Sequence, residues 1–246
     1  MIRLLKCEFK KFKATYINSL SLLGMIAPVL LVLLMFFMKR HDFQRSGGYS
    51  WGKFNEYVIQ FFVLMVGPII TSFISVFSVF YEYQQKTMKN LLTSPFGRIK
   101  IIFTKIVYTS VFVVLLYAVV AAVNVLCGLI LGFHMSLADI ADNSLNMILA
   151  GATTILLVPF MMFITLLFRN FIPAMVITVI GTISNILTMN WEKSYFSPWA
   201  VPIDLFGISS GILKMKLVYP LISLCIYLCA FMLLTVVYFR RADQNV

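Results

Sequence analysis

The chain has 246 residues, of which 61% are hydrophobic and 12% charged, and its formal net charge is +11. So small a polar fraction cannot cover a water-soluble fold of this size, which excludes soluble enzymes and soluble binding domains and indicates an integral membrane protein. The positive charge lies between long apolar runs, which makes it a topology signal and not a nucleic-acid surface.

Residues 1–17 place Ile2, Leu5, Phe9, Phe12 and Tyr16 at helical spacing, with Arg3, Lys6, Lys10 and Lys13 on the adjoining face. This pattern predicts an amphipathic helix lying in the membrane interface. It fits a simple basic anchor on anionic lipid, and it fits an elbow helix that transmits motion to the first span, with Lys6, Phe9, Lys10, Phe12 and Lys13 as its working residues.

Six runs then lack Asp, Glu, Lys, Arg and His: 18–38, 57–80, 106–132, 144–168, 171–190 and 217–239. Each has about the 20 apolar residues needed to cross a bilayer as a helix. Because unpaired backbone groups are costly in hydrocarbon, these runs should be helical in spite of their β-branched residues. The first is too long for a secretory signal and ends in Phe37-Met38-Lys39-Arg40 where a cleavage site needs small residues. The fold class is therefore all-α, with about six transmembrane helices in a single domain over 1–246. Thirteen basic residues flank one side of these spans and seven the other. The positive-inside rule then puts both termini and the 81–105 loop in the cytoplasm.

Between the first two spans, Gly47 to Phe54 has the spacing of a phosphate-binding loop, but Phe54 stands where Ser or Thr would ligate magnesium and no strand precedes it. If ATP drives this protein, another chain must bind the ATP and its magnesium. Pro68 in the second span, with Pro28, Pro159, Pro173 and Pro220 elsewhere, should kink a helix or begin one.

Weakly polar residues share faces of the spans: Thr71, Ser75 and Ser78 in the second, Asn124, Gly128 and Gly132 in the third, Thr178, Thr182 and Asn185 in the fifth. Small residues let helices approach closely, so packing explains them. The alternative is that some of Thr71, Ser75, Ser78, Thr178, Thr182 and Asn185 line a path for an amphipathic substrate. Intramembrane acids, the mark of ion-coupled carriers, are missing from these runs.

The loop after the second span carries the most specific pattern. In residues 81–98, Glu82 and Lys86 stand four apart, in the favourable order for a helical pair, and Met88, Leu91 and Leu92 supply apolar bulk. Ser94-Pro95-Phe96-Gly97 then stops the helix. A short helix with one apolar face suits a partner's groove.

Elsewhere chemistry is thin. His41 and His134 fall in or beside outer loops, Asp139 with Asp142 is the closest acidic pair, and Cys7, Cys127, Cys225 and Cys229 give no metal or disulfide framework. The aromatic run Trp191, Tyr195, Phe196 and Trp199 reads as an interfacial belt or as a lateral lid.

Glu82, Thr87, Lys89, Leu91, Leu92, Pro95, Arg98 and Lys105, in that order after the second span, resemble the signature loop of type-2 ABC exporter permeases. The basic elbow and the ending Tyr238-Phe239-Arg240-Arg241-Ala242-Asp243 are similar to the small six-span permeases of lantibiotic-immunity, bacitracin-resistance and peptide-export systems. The chain departs from that pattern at Lys86, where many members carry glycine before the threonine. The resemblance implies a non-catalytic permease subunit that exports an amphipathic peptide. It would pair with itself or a similar permease and dock a cytoplasmic ABC ATPase through Glu82, Lys86, Thr87, Met88, Leu91 and Leu92, with no cofactor of its own. An ATP-independent channel or assembly scaffold is the alternative from the residues alone, and a lipid-modifying enzyme would need a convergent acid or histidine cluster.

Overall fold

A computed structural model describes residues 2–45, 48–93, 96–188, 191, 193–209 and 217–241. Every element among these is helical, and six helices are long and apolar enough to cross a membrane. The expected all-α membrane architecture is what forms.

Helix α1 (Ile2–Ala14) lies before the first span, α2 (Ile17–Met38), and a short α3 (Arg40–Arg45) follows. The second span is composite: α4 (Trp51–Phe61), a π-helical turn (Phe62–Val66) and α5 (Gly67–Gln84). After α6 (Met88–Leu92), the third span is the 33-residue α7 (Arg98–Ile130). The fourth is again two pieces, α8 (Leu137–Thr154) and α9 (Leu157–Phe168), followed by α10 (Phe171–Thr188). A 3₁₀ turn (Ser194–Phe196), α11 (Val201–Ser209) and the last span α12 (Val218–Arg241) complete the chain. Pairwise packing puts α5 against α9 and α10, α7 against α2 and α8, and α12 against α9. Contacts of Glu8 with Lys105, of Arg98 with Arg240 O, and of Met88 with Leu166 and Phe239 bring α1, the Lys86 turn, the start of α7, the end of α9 and the end of α12 to one end of the bundle, here termed the terminal end.

The two broken spans have local causes. Pro68 has no N–H, so the carbonyl of Leu64, its partner in a regular helix, is left open. In the π turn the Gly67 N–H donates to Phe62 O, five residues back, and the Asn185 side-chain amide donates to Leu64 O at 3.4 Å. A polar residue of the fifth span thus caps the proline break of the second. In the fourth span, tight bonds such as Ile155 N to Ala152 O replace the regular ladder ahead of Pro159, and the Thr235 hydroxyl of α12 donates to Pro159 O at 2.7 Å.

The connection after the second span differs from expectation. One continuous helix with a Glu82–Lys86 pair was predicted, but α5 ends at Gln84 and Lys86 adopts φ +54°, so its side chain leaves the helix face and is exposed. The helix expected over this segment is reduced to α6, only five residues long. The left-handed conformation is the one glycine adopts without steric cost, so Lys86 stands where the resemblance set out above implies a glycine. Lys86→Gly should therefore fold normally and gain about 1 kcal/mol, read as a higher unfolding midpoint in detergent. A lower midpoint would show that the lysine side chain itself holds the turn.

Candidate functional site

At the terminal end three helices converge on a buried cluster of charges. Glu82, two residues before the end of α5, is 1% exposed. Its Oε1 accepts from Lys105 Nζ of α7 at 3.0 Å and also from Lys11 Nζ of α1. Its Oε2 accepts the Thr87 hydroxyl at 2.5 Å, and the Thr87 N–H returns to Glu82 O at 3.0 Å. One carboxylate therefore ties α1, α7 and the turn into α6.

Lys105, 2% exposed, donates as well to Glu8 of α1, with both carboxylate oxygens within 3.0–3.1 Å, and to Ser78 O at 2.9 Å. Its three ammonium donors thus meet Glu82, Glu8 and a backbone carbonyl, which is all an ammonium can offer. Glu8 and Lys11 add a further contact at 3.5 Å. Burial alone would lower the Lys11 pKa, but Glu8 and Glu82 raise it above its ordinary value. Two lysines and two glutamates leave the cluster neutral, the condition under which buried charges are tolerated.

Apolar packing reinforces this junction. Phe12 of α1, 2% exposed, meets Tyr108, Phe112 and Phe77 with ring centroids 4.9, 5.5 and 6.2 Å away. Of the amphipathic helix expected in the membrane interface, Phe12 and Glu8 are buried against the protein and Leu4 and Leu5 are half-buried. Phe9 is 58% exposed, and Lys6, Lys10 and Lys13 are exposed beside it.

Sequence reasoning placed Glu82 and Lys105 in the loop pattern but missed Glu8 and Lys11. A signal was present: Glu8 is the one acid before Asp42, and it falls between Leu5 and Phe12 on the apolar face of a basic helix. An acid in such a position needs a buried cation.

The remaining loop residues divide. Met88, expected to project toward a partner, is 1% exposed and packs with Val79, Ile101, Ile102, Ile106, Met162 and Phe239. With only five residues, α6 turns this side chain onto the bundle, so Met88 is an anchor. Leu91 is half-buried at the edge of the same cluster, while Asn90 and Thr93 are exposed. The side chain of Leu92, that of Lys89, and residues Ser94 and Pro95 lie outside the described residues. Arg98 donates to Arg240 O at 3.3 Å, joining the start of α7 to the end of α12.

Residues 4–185 match the family model for ABC-2 family transporter proteins, about three quarters of the chain. The chain is also 30% identical over 186 residues to the bacitracin transport permease protein of Bacillus licheniformis, covering 74% of this chain and 88% of that one. The chain belongs to the ABC-2 transporter family. It is a multi-pass membrane permease subunit, of a family that generally works with an ABC ATPase.

The polar span residues of this permease lie inside the helix bundle. Thr71, Ser75, Ser78, Thr178, Thr182 and Asn185 are each at most 3% exposed. Ser75 donates to Thr71 O, Thr178 to Ala174 O and Thr182 to Val179 O, while the hydroxyls of Thr71 and Thr154 stand 3.4 Å apart. They face a substrate only if span 2 parts from spans 4 and 5.

At the opposite end, Trp199 also departs from the belt reading. It is 8% exposed, with its ring against Gly181 and edge-on to Phe160, whereas Trp191 and Phe196 remain exposed. Asp139 closes a capping box with Ser136 at the start of α8, which gives it a structural use. Among the described residues no His, Cys, Asp and Glu side chains group as a metal site.

Proposed function

We propose that this permease is the membrane half of an ATP-driven exporter of an amphipathic peptide, and that both of its termini face the cytoplasm. The charge cluster is the observation that carries the coupling part of this reading. A partner ATPase that pushes on the 85–97 connection meets a segment whose base is tied through Glu82 to α1, α5 and α7 together. Motion there is delivered to the elbow and to two spans at once, instead of being absorbed in a flexible loop.

With Met88 turned inward, the contact surface for the ATPase is Lys86, Asn90 and Thr93, with Leu91 at its edge and Thr87 bonded beneath. ATP and magnesium sit on that partner chain. Two permease subunits, identical or merely similar, would frame the path, and the expected excess of basic residues on the terminal side sets the orientation. The peptide substrate is supported by the relative whose name concerns bacitracin transport. A part in resistance to an antibiotic peptide is supported by the same likeness.

The test is purification of the tagged chain in mild detergent from its native host, with ATP hydrolysis measured with and without amphipathic peptides. A stoichiometric ATPase should accompany the wild type, and hydrolysis should rise with the exported peptide. Leu91→Asp should insert normally but lose both the ATPase and export. Recovery of the permease alone, under conditions that keep other ABC complexes whole, would favour a channel or scaffold.

A further inference from the structure

Where α1 turns into α2, a cleft of about 440 Å³ opens at the terminal end. Its volume falls in the roughly 300–1,000 Å³ range of small-molecule sites. The wall is apolar, formed by Leu20 of α2 and by Phe73 and Phe77, one helical turn apart on α5. The mouth is polar, formed by Tyr16, Gln84 and Gln85, all exposed.

Charge distinguishes this cleft from an ordinary lipid-facing groove. Arg3, Lys6, Lys10 and Lys13 are all exposed along one face of α1, and the row ends at Lys13, the chain neighbour of the lining residue Ala14. Lys86, also exposed, follows Gln85 at the other lip. The acids of α1, α2 and α5 are Glu8 and Glu82, and both are already neutralised by Lys11 and Lys105. The mouth therefore presents uncompensated positive charge above an aromatic wall.

We propose that this cleft is a saturable site for one anionic phospholipid from the leaflet on the terminal side. An acyl chain lies along Leu20, Phe73 and Phe77, and the phosphate sits between Lys13 and Lys86, with the Tyr16 hydroxyl and the two glutamine amides as further donors. A second copy of the chain would bring its own basic row against this one, and a cationic peptide would be repelled likewise. The inference rests on the elbow lying at a membrane surface, as proposed above, but not on transport. In a bilayer of symmetric composition the binding test is independent of orientation and of any ATPase.

The experiment uses the full chain carrying Phe77→Trp, reconstituted in phosphatidylcholine with brominated phosphatidylglycerol or, separately, brominated phosphatidylcholine. The quenching of the added tryptophan is taken as the difference from the parent chain, which has three tryptophans of its own. Each basic residue near an anionic headgroup is worth roughly fivefold in affinity, so half-quenching should need about 30-fold less of the anionic lipid. Lys13→Gln with Lys86→Gln should erase that preference. Native mass spectrometry of the unsubstituted chain should retain one phosphatidylglycerol per chain, and the lysine double variant should lose it. Equal quenching by both lipids would overturn the proposal in favour of bulk lipid. Absence of quenching, with copies cross-linking through Phe77→Cys, would overturn it in favour of a second copy in the cleft.

Discussion

Replacing Lys105 with alanine is expected to destabilise the permease by about 3–5 kcal/mol, the usual effect of removing one partner from a buried ion cluster. Lys105 is 2% exposed and holds Glu8, Glu82 and Ser78 O at 2.9–3.1 Å. Without it, two carboxylates that are themselves 6% and 1% exposed share only Lys11, a side chain 31% exposed. Unfolding in one fixed mild detergent measures the loss, and a change below about 1 kcal/mol would mean that the pairs are screened and structurally idle. Glu8→Gln made in the Lys105→Ala background should cost less than it does alone, because its cation is already gone. A coupling energy near zero in that double-mutant cycle would contradict the contact.

The apolar pair Glu8→Leu with Lys105→Met separates stability from function. Well-packed hydrophobic replacements for buried ion pairs are often neutral or stabilising, and Glu82 would keep Lys11 and Thr87. This variant should recover most of the folding energy lost in Lys105→Ala. If the cluster serves to carry motion from the ATPase, export should remain impaired while hydrolysis continues. Full export by the apolar pair would leave the ions a folding role alone.

The spans were legible because bilayer thickness imposes a length on every apolar run, whatever the details of packing. Pro68 and Pro159 marked where two of them bend, since a missing N–H is a property of the residue itself. Asn185 as the cap for Leu64 O was not legible, because the bond joins positions 121 residues apart and depends on how spans 2 and 5 meet. The same holds for Lys105 with Glu8, 97 residues apart. Local spacing misled at Lys86, where the i,i+4 rule assumes a helix that has already ended, and at Met88, because five residues give too little periodicity to say which face is buried. Composition and spacing therefore disclosed the membrane architecture and the loop, whereas the residues that join the loop to the spans had to be read from tertiary contacts.

Gly151→Ala is the other substitution expected to have a large effect, through shape instead of charge. Tyr117 of α7 is fully buried between Gly67 of the second span and Gly151 of the fourth. A methyl group at Gly151 would come within 2.5–2.8 Å of Tyr117 Cγ, Cδ2 and Cβ. Those atoms are the root of the side chain and cannot swing aside, so α7 and α8 must separate along a close helix contact. Overpacking of this kind costs about 1–3 kcal/mol, and the upper end is expected because relief by rotamer change is blocked. At Gly67 the nearest atom is instead the far end of the same residue, the Tyr117 hydroxyl, followed by Phe62 O at 2.7 Å where the π turn brings the backbone close. Tyr117→Phe should therefore restore part of the stability lost in Gly67→Ala and almost none of that lost in Gly151→Ala. Detergent unfolding of the four variants decides the matter. Equal rescue at both glycines would mean that the ring, and not only its hydroxyl, can shift within the bundle, so that the Tyr117 contact is not a fixed joint between the second, third and fourth spans.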